Sequence, residues 1–184
     1  MKLKLTVAPA VEPVSLEEAK NHLRVDSGGD NALITSLIKT ARRYIERQTG
    51  KTLIDQTWEL RLDAAGETIS IPKAPLLSVV SKIEVISEAG VMSDVSSSLY
   101  DSDTPQDSPG RVKLKEGCTW PDHRGFDSFI VTFIAGYGAA ATDVPDELKQ
   151  GILQLIGHYY DGRQGEELPS GIEALINLHK IYWL

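Results

Sequence analysis

Cys118, Asp122 and His123 form the one cluster in the sequence whose residue types fit a nucleophile with its base. Catalytic groups must meet in space, however, and Trp120-Pro121 between them reads as a rigid turn, so Cys118 is better read as a small apolar side chain. His22, His123, His158 and His179 include no pair at metal-ligand spacing, and a single cysteine excludes an intramolecular disulfide and a cysteine-rich zinc site. Asp101-Ser102-Asp103 begins like a calcium loop, but Pro105 and Gln106 fall where a ligand and the glycine belong, and Val112 takes the place of the bidentate Glu. Gly136-Tyr137-Gly138-Ala139-Ala140-Ala141 spells a dinucleotide-binding string. Asp143-Val144-Pro145 delays the helix whose amides would meet the pyrophosphate, so the string reads as a strand exit. Gly50-Lys51-Thr52 resembles the end of a phosphate loop, yet the first glycine would fall on Ile45 and the order is helix then strand. No cofactor and no metal is therefore expected.

What remains is binding chemistry. Lys39, Arg43 and Arg47 are spaced by four and line one helical face, with Arg42 beside them and Glu46 interleaved. Such a stripe is either a solvated face or a contact for phosphate or an acidic partner. Aromatics that would stack single-stranded bases are missing from it. At the other end, Ile181, Tyr182, Trp183 and Leu184 are apolar or aromatic where chains are usually polar. Trp183 then either covers the subunit's own helices or serves as an aromatic anchor on a partner. The candidate partner-contact residues are Lys39, Arg43, Arg47, Tyr182 and Trp183.

The elements that position these residues follow from periodicity. Ser15-Leu16-Glu17-Glu18 is a capping box that opens a short helix to about Leu23, with Leu16, Ala19 and Leu23 on one face. Asp26-Ser27-Gly28-Gly29-Asp30 is a turn whose last residue can cap again. Leu33, Ile34, Leu37, Ile38, Ala41 and Ile45 then recur at helical spacing until Gly50. From Thr52 the period becomes two: Trp58, Leu60 and Leu62 alternate with polar residues. Further strands are expected over Thr68 to Ile71, Val79 to Ile86, Arg111 to Lys115 and Phe129 to Ile134, and Ser93 to Gly110 reads as a solvated loop around Leu99-Tyr100. Helical spacing returns after Pro145 with Leu148, Ile152, Leu155, Ile156 and Tyr159, and Gly162 and Gly165 stop it. Leu168-Pro169-Ser170-Gly171 opens a last helix carrying Ile172, Leu175, Ile176 and Ile181.

The fold class is α+β: a four-helix body formed by residues 1 to 52 and 143 to 184, with 53 to 142 as an inserted, small antiparallel β subdomain. With 184 residues, 41% hydrophobic and 24% charged, the chain has the composition of a folded domain. Residues 1 to 60 carry +1, 61 to 142 carry −4 and 143 to 184 carry −4, so no global basic surface advertises nucleic-acid binding. The longest uncharged run, Ser128 to Thr142, holds 15 residues and two glycines, too few to span a membrane. Met1 to Ala10 faintly imitates a secretory signal, but Pro9, Glu12 and Pro13 interrupt it, and a cytoplasmic location is expected.

Several of these strings together resemble the phage head-tail connector (adaptor) family. The likeness begins with Ser15-Leu16-Glu17-Glu18-Ala19-Lys20-Asn21-His22-Leu23-Arg24-Val25-Asp26 and Tyr44-Ile45-Glu46-Arg47-Gln48-Thr49-Gly50. It continues through Pro75-Leu76-Leu77-Ser78-Val79, Trp120-Pro121 and Val131-Thr132-Phe133-Ile134-Ala135-Gly136-Tyr137-Gly138, and ends in the helical runs Val144 to Arg163 and Leu168 to Ile176. The resemblance implies a virion assembly protein that forms a ring of about a dozen copies under the portal and joins the head to tail and neck proteins, with DNA passing through unbound and no turnover. The residues alone leave two alternatives, a small cytoplasmic enzyme using Cys118 and His123, and a nucleic-acid-binding module using the Lys39 to Arg47 stripe.

Overall fold

A computed structural model describes residues 1–76, 82–104, 109–162 and 167–181. Four helices and antiparallel sheets make an α+β protein. The described chain divides into a β unit, residues 1–8 and 55–137, and a helical unit, residues 9–54 and 138–181.

In the helical unit, α1 (Leu16–Leu23) starts at the expected capping box: Glu18 N–H donates to Ser15 Oγ at 3.1 Å, and Ser15 N–H to Glu18 Oε2 at 2.7 Å. Helix α2 (Asn31–Thr49) ends at Gly50, whose φ of 77° lets its N–H close on the Glu46 carbonyl. Two expectations at the start of α2 give way. Asp30 caps nothing with its side chain; its Oδ2 accepts from Tyr160 Oη at 2.6 Å instead. Leu33 is 49% exposed, because the buried line runs through Ile34, Leu37, Ile38, Ala41 and Ile45, and Leu33 lies about 95° around the helix from the centre of that line.

Helix α3 (Asp146–Tyr160) buries Leu148, Ile152, Leu155 and Ile156 against α2, and Tyr159 is half-buried. Gly151 sits where a Cβ would stand 3.2 Å from Ile45 Cδ1 and 3.1 Å from Leu175 Cδ2, so the missing side chain lets helices from both ends of the sequence close together. The Gly151–Ile45 approach and the Tyr160–Asp30 hydrogen bond lie at opposite ends of α2, which makes α3 antiparallel to it. Helix α4 (Ser170–His179) buries Ile172 and Ile176. Beyond it Ile181 is buried and its N–H donates to the Thr49 carbonyl at 2.8 Å. Gly162 ends α3 as expected; Gly165 lies outside the described residues.

The β unit holds two sheets where one was expected. The first, in the order β1-β2-β8-β4-β5, uses β1 (Lys2–Val7), β2 (Gln56–Leu62), β4 (Lys82–Ile86), β5 (Met92–Asp94) and β8 (Phe129–Ala135). The second pairs β3 (Thr68–Ser70) and β6 (Tyr100–Asp103) on either side of β7 (Arg111–Leu114). Register aligns Leu60, Val131 and Ile83 in one row across β2, β8 and β4, and Leu62, Phe129 and Val85 in the next. These rows form the core with Ile69, Tyr100 and Val112 of the smaller sheet. Trp120 stands edge-on to Phe129 at 5.6 Å and donates its indole N–H to the Gly66 carbonyl at 2.8 Å, which fixes the Trp-Pro turn.

Three strands escape the sequence reading. Residues 2–7, grouped there with the helices, form an edge strand of the larger sheet, in which Leu3 pairs with Leu60 and packs on the core. Within the stretch read as loop, β5 and β6 are edge strands; β5 is wholly exposed and β6 turns only Tyr100 into the core, so backbone pairing rather than an apolar face holds them. Of the segment Val79 to Ile86, residues 82–86 form β4 and the rest falls in 77–81, outside the described residues.

Candidate functional site

The stripe that sequence spacing singled out is a real surface. Lys39, Arg43 and Arg47 are all exposed on α2. At about 100° per residue, Arg43 sits nearly opposite Ile45, the side chain that meets Gly151 of α3. The face thus points away from α3, and among the described residues no carboxylate pairs with any of the three cations. Ser36 and Thr40 complete it with small polar side chains.

Two residues expected on this surface are instead inside. The Arg42 side chain is only 6% exposed; Nε meets Glu12 Oε2 at 2.6 Å and one terminal nitrogen meets Glu46 Oε2 at 2.7 Å. Glu46 also accepts the Leu53 N–H through Oε1 at 3.0 Å. Burial pushes the Arg42 guanidinium down, but the hydrogen bond it donates to Glu12 and the charges of both carboxylates raise it above its ordinary value, so it is cationic at any working pH. The acid that spacing suggested would neutralise the stripe is therefore spent beneath it. Tyr182 and Trp183, the other candidate contacts, lie outside the described residues.

Cys118 and His123, the residues of the enzyme alternative, have separate surroundings. The His123 ring packs against Phe129, centroids 4.7 Å apart, and its Nδ1 faces the Pro121 carbonyl at 2.9 Å. Cys118 instead borders an open groove of about 520 Å³ with Glu67, Asp101, Lys113, Lys115 and Glu116, and His123 is not on its wall. Asp103, in the string that began like a calcium loop, lies in β6 and grips Arg111 through Oδ2, which holds its carboxyl below the usual range. Among the described residues no three of His, Cys, Asp or Glu gather around a point that would hold a metal ion, and no helix is long and apolar enough to cross a membrane.

Comparison with known proteins bears on the chain as a whole. Residues 13–101 match the phage gp6-like head-tail connector protein family. The whole chain superposes on a chain from the neck of an empty gene transfer agent (GTA) particle, computed with C6 symmetry, with a TM-score of 0.86 at 25% identity and 97% coverage of that chain. It also superposes on a chain from the virion of a native GTA particle, TM-score 0.83 at 27% identity, again covering 100% of this chain and 97% of the other. This is a structural connector of the virion neck. A chain from the native GTA neck computed with C12 symmetry matches the connector equally well, TM-score 0.83 at 25% identity, over 100% of this chain and 97% of that one. No curated protein sequence matches it significantly.

Proposed function

We propose that the connector stands as a ring of about a dozen copies beneath the portal, coaxial with it, and couples the head to the tail proteins. The observation that carries this reading is the superposition of the whole chain on neck subunits from particles treated with six-fold and twelve-fold symmetry. A cyclic ring needs heterologous contacts, each surface meeting a different one on the next copy. The exposed cations Lys39, Arg43 and Arg47 supply one such surface, and Tyr182 and Trp183 are proposed as a second contact, with portal or neck protein. The subunit acts without turnover and without cofactor. The chain's net charge of −7 suits a conduit that DNA traverses without specific binding, since an acidic wall repels phosphate. Assembly takes place in the host bacterial cytoplasm, and isolated subunits remain monomeric until the portal templates the ring.

The test is to mix the purified connector with the portal protein encoded beside it and image the product by electron microscopy. A ring coaxial with the portal is the expected result. Portal particles that never acquire the connector would overturn the assignment.

A further inference from the structure

We infer that the cationic face of α2 is the contact between neighbouring subunits of the ring: Lys39, Arg43 and Arg47 of one copy seat on carboxylates of the next. This inference rests on the connector reading and specifies which surface closes the ring. Several other described cations find a carboxylate within their own chain, Arg42 with Glu12 and Glu46, Arg61 with Glu59 and Asp127, Lys82 with Glu84 and Asp94, and Arg111 with Asp103, while Lys4, Arg24 and Lys113 stand singly without one among the described residues. The three α2 cations also find none there, although they stand on one helix at a spacing that gathers their charge. The neutralising acid within reach on the same helix, Glu46, is turned inward by Arg42 and the Leu53 N–H. The three side chains are exposed, so among the described residues no helix of the unit covers them.

The occupant must be anionic, and the connector itself is the acidic partner that a ring brings to every subunit. Residues 61 to 142 and 143 to 184 carry −4 each, against +1 for the segment that contains α2. Exposed Glu147 and Glu173 belong to the helical unit on helices other than α2. Opposite signs on different surfaces of one molecule favour head-to-tail docking and oppose face-to-face pairing, which is the discrimination a cyclic ring requires and a two-fold dimer does not. Duplex DNA is the poorer occupant, because three cations on a chain of net charge −7 meet long-range repulsion from phosphate.

The experiment uses the full-length connector, half of it labelled with nitrogen-15, assembled on its portal and treated with a carbodiimide that joins a lysine Nζ directly to a carboxylate. Links of mixed isotope from Lys39 to acidic residues of this same chain are expected, and the conservative variants Arg43→Lys and Arg47→Lys should yield further ones. The triple variant Lys39→Glu, Arg43→Glu, Arg47→Glu should keep its melting temperature and form at least tenfold fewer rings. The inference is overturned if the links run only to portal peptides, if they join only equal isotopes, or if the triple variant closes rings normally. Loss of duplex-DNA binding in that variant with rings intact would assign the face to DNA and equally overturn it. Should the unmodified protein form no ring on the portal, the connector reading itself fails, which is a distinct result.

Discussion

Replacing Arg42 by Met tests the buried ion network directly. Methionine keeps most of the aliphatic volume and removes the guanidinium that bridges Glu12 and Glu46. Breaking a buried ion pair from one side costs about 3–5 kcal/mol when the remaining charge stays buried. Here the two carboxylates differ. Glu12, with 22% of its side chain exposed, can turn to water, whereas Glu46, with 11%, is held inward by the Leu53 N–H and keeps a carboxylate in a poor medium. The cost should therefore lie at the lower end, about 3 kcal/mol, a large share of a typical stability of about 5–15 kcal/mol. Adding Glu46→Gln removes that charge while the amide oxygen can still accept from Leu53, and should restore about 1–2 kcal/mol. Urea unfolding of the two variants measures both values as midpoint shifts at constant slope. A single-variant cost below about 1 kcal/mol, or a double variant no more stable than the single one, would refute the account of Arg42 as a buried structural cation.

Three further outcomes follow from the helical unit. Ile152→Asp places a carboxylate at a fully buried site between helices and should unfold the protein at room temperature, as far-ultraviolet circular dichroism would report. Gly151→Val adds methyls where even a Cβ would stand 3.1–3.2 Å from Leu175 and Ile45, so about 2 kcal/mol should be lost in chemical denaturation. Glu18→Gln should cost about 0.5 kcal/mol at pH 7, given the exposure of the capping box. The Ser15 N–H, then its hydroxyl, hold the Glu18 carboxyl below its ordinary value of 4.5, so its contribution is complete above that pH and disappears as the pH falls through the lowered value. A difference between the two proteins that widens in acid would contradict the sign.

The helices were legible because several local signals agreed. In α1 the capping box fixes the start, in α2 the apolar line runs to the terminal Gly50, and the resulting faces leave few ways to bury Ile45, Ile152 and Leu155 together. Strand β2 was legible from the alternation of Trp58, Leu60 and Leu62, and β8 from the nearly unbroken apolar run Phe129–Ala135. By contrast, β5 and β6 present Met92-Ser93-Asp94 and Tyr100-Asp101-Ser102-Asp103, whose composition is that of a turn. Their conformation is imposed by the partner strands β4 and β7, which a local window does not contain. Residues 2–7 were obscured differently. The alternation of Leu3, Leu5 and Val7 was present, but its partner β2 lies some fifty residues away, and Pro9 drew attention to an interrupted apolar start.

The cationic stripe was legible by position and misjudged by charge. Spacing alone places Glu46 three residues from Arg43 and one from Arg47, close enough to suggest a self-neutralised, solvated face. Whether an acid on a helix faces water or the core depends on what waits inside, and here that is the Arg42 guanidinium and the Leu53 N–H, contributed one turn and seven residues away. Arg42 is itself drawn in by Glu12, thirty residues upstream, beyond any helical period. One buried network thus removes an acid and a base from the surface while leaving three cations of the same helix outside. Net charge over the segment is unchanged by this sorting, but the exposed face of α2 becomes wholly positive. That separation of sign between inside and outside is what turns an ordinary amphipathic helix into a surface suited to an acidic neighbour, and it arises only when the tertiary contacts of α2 are in place.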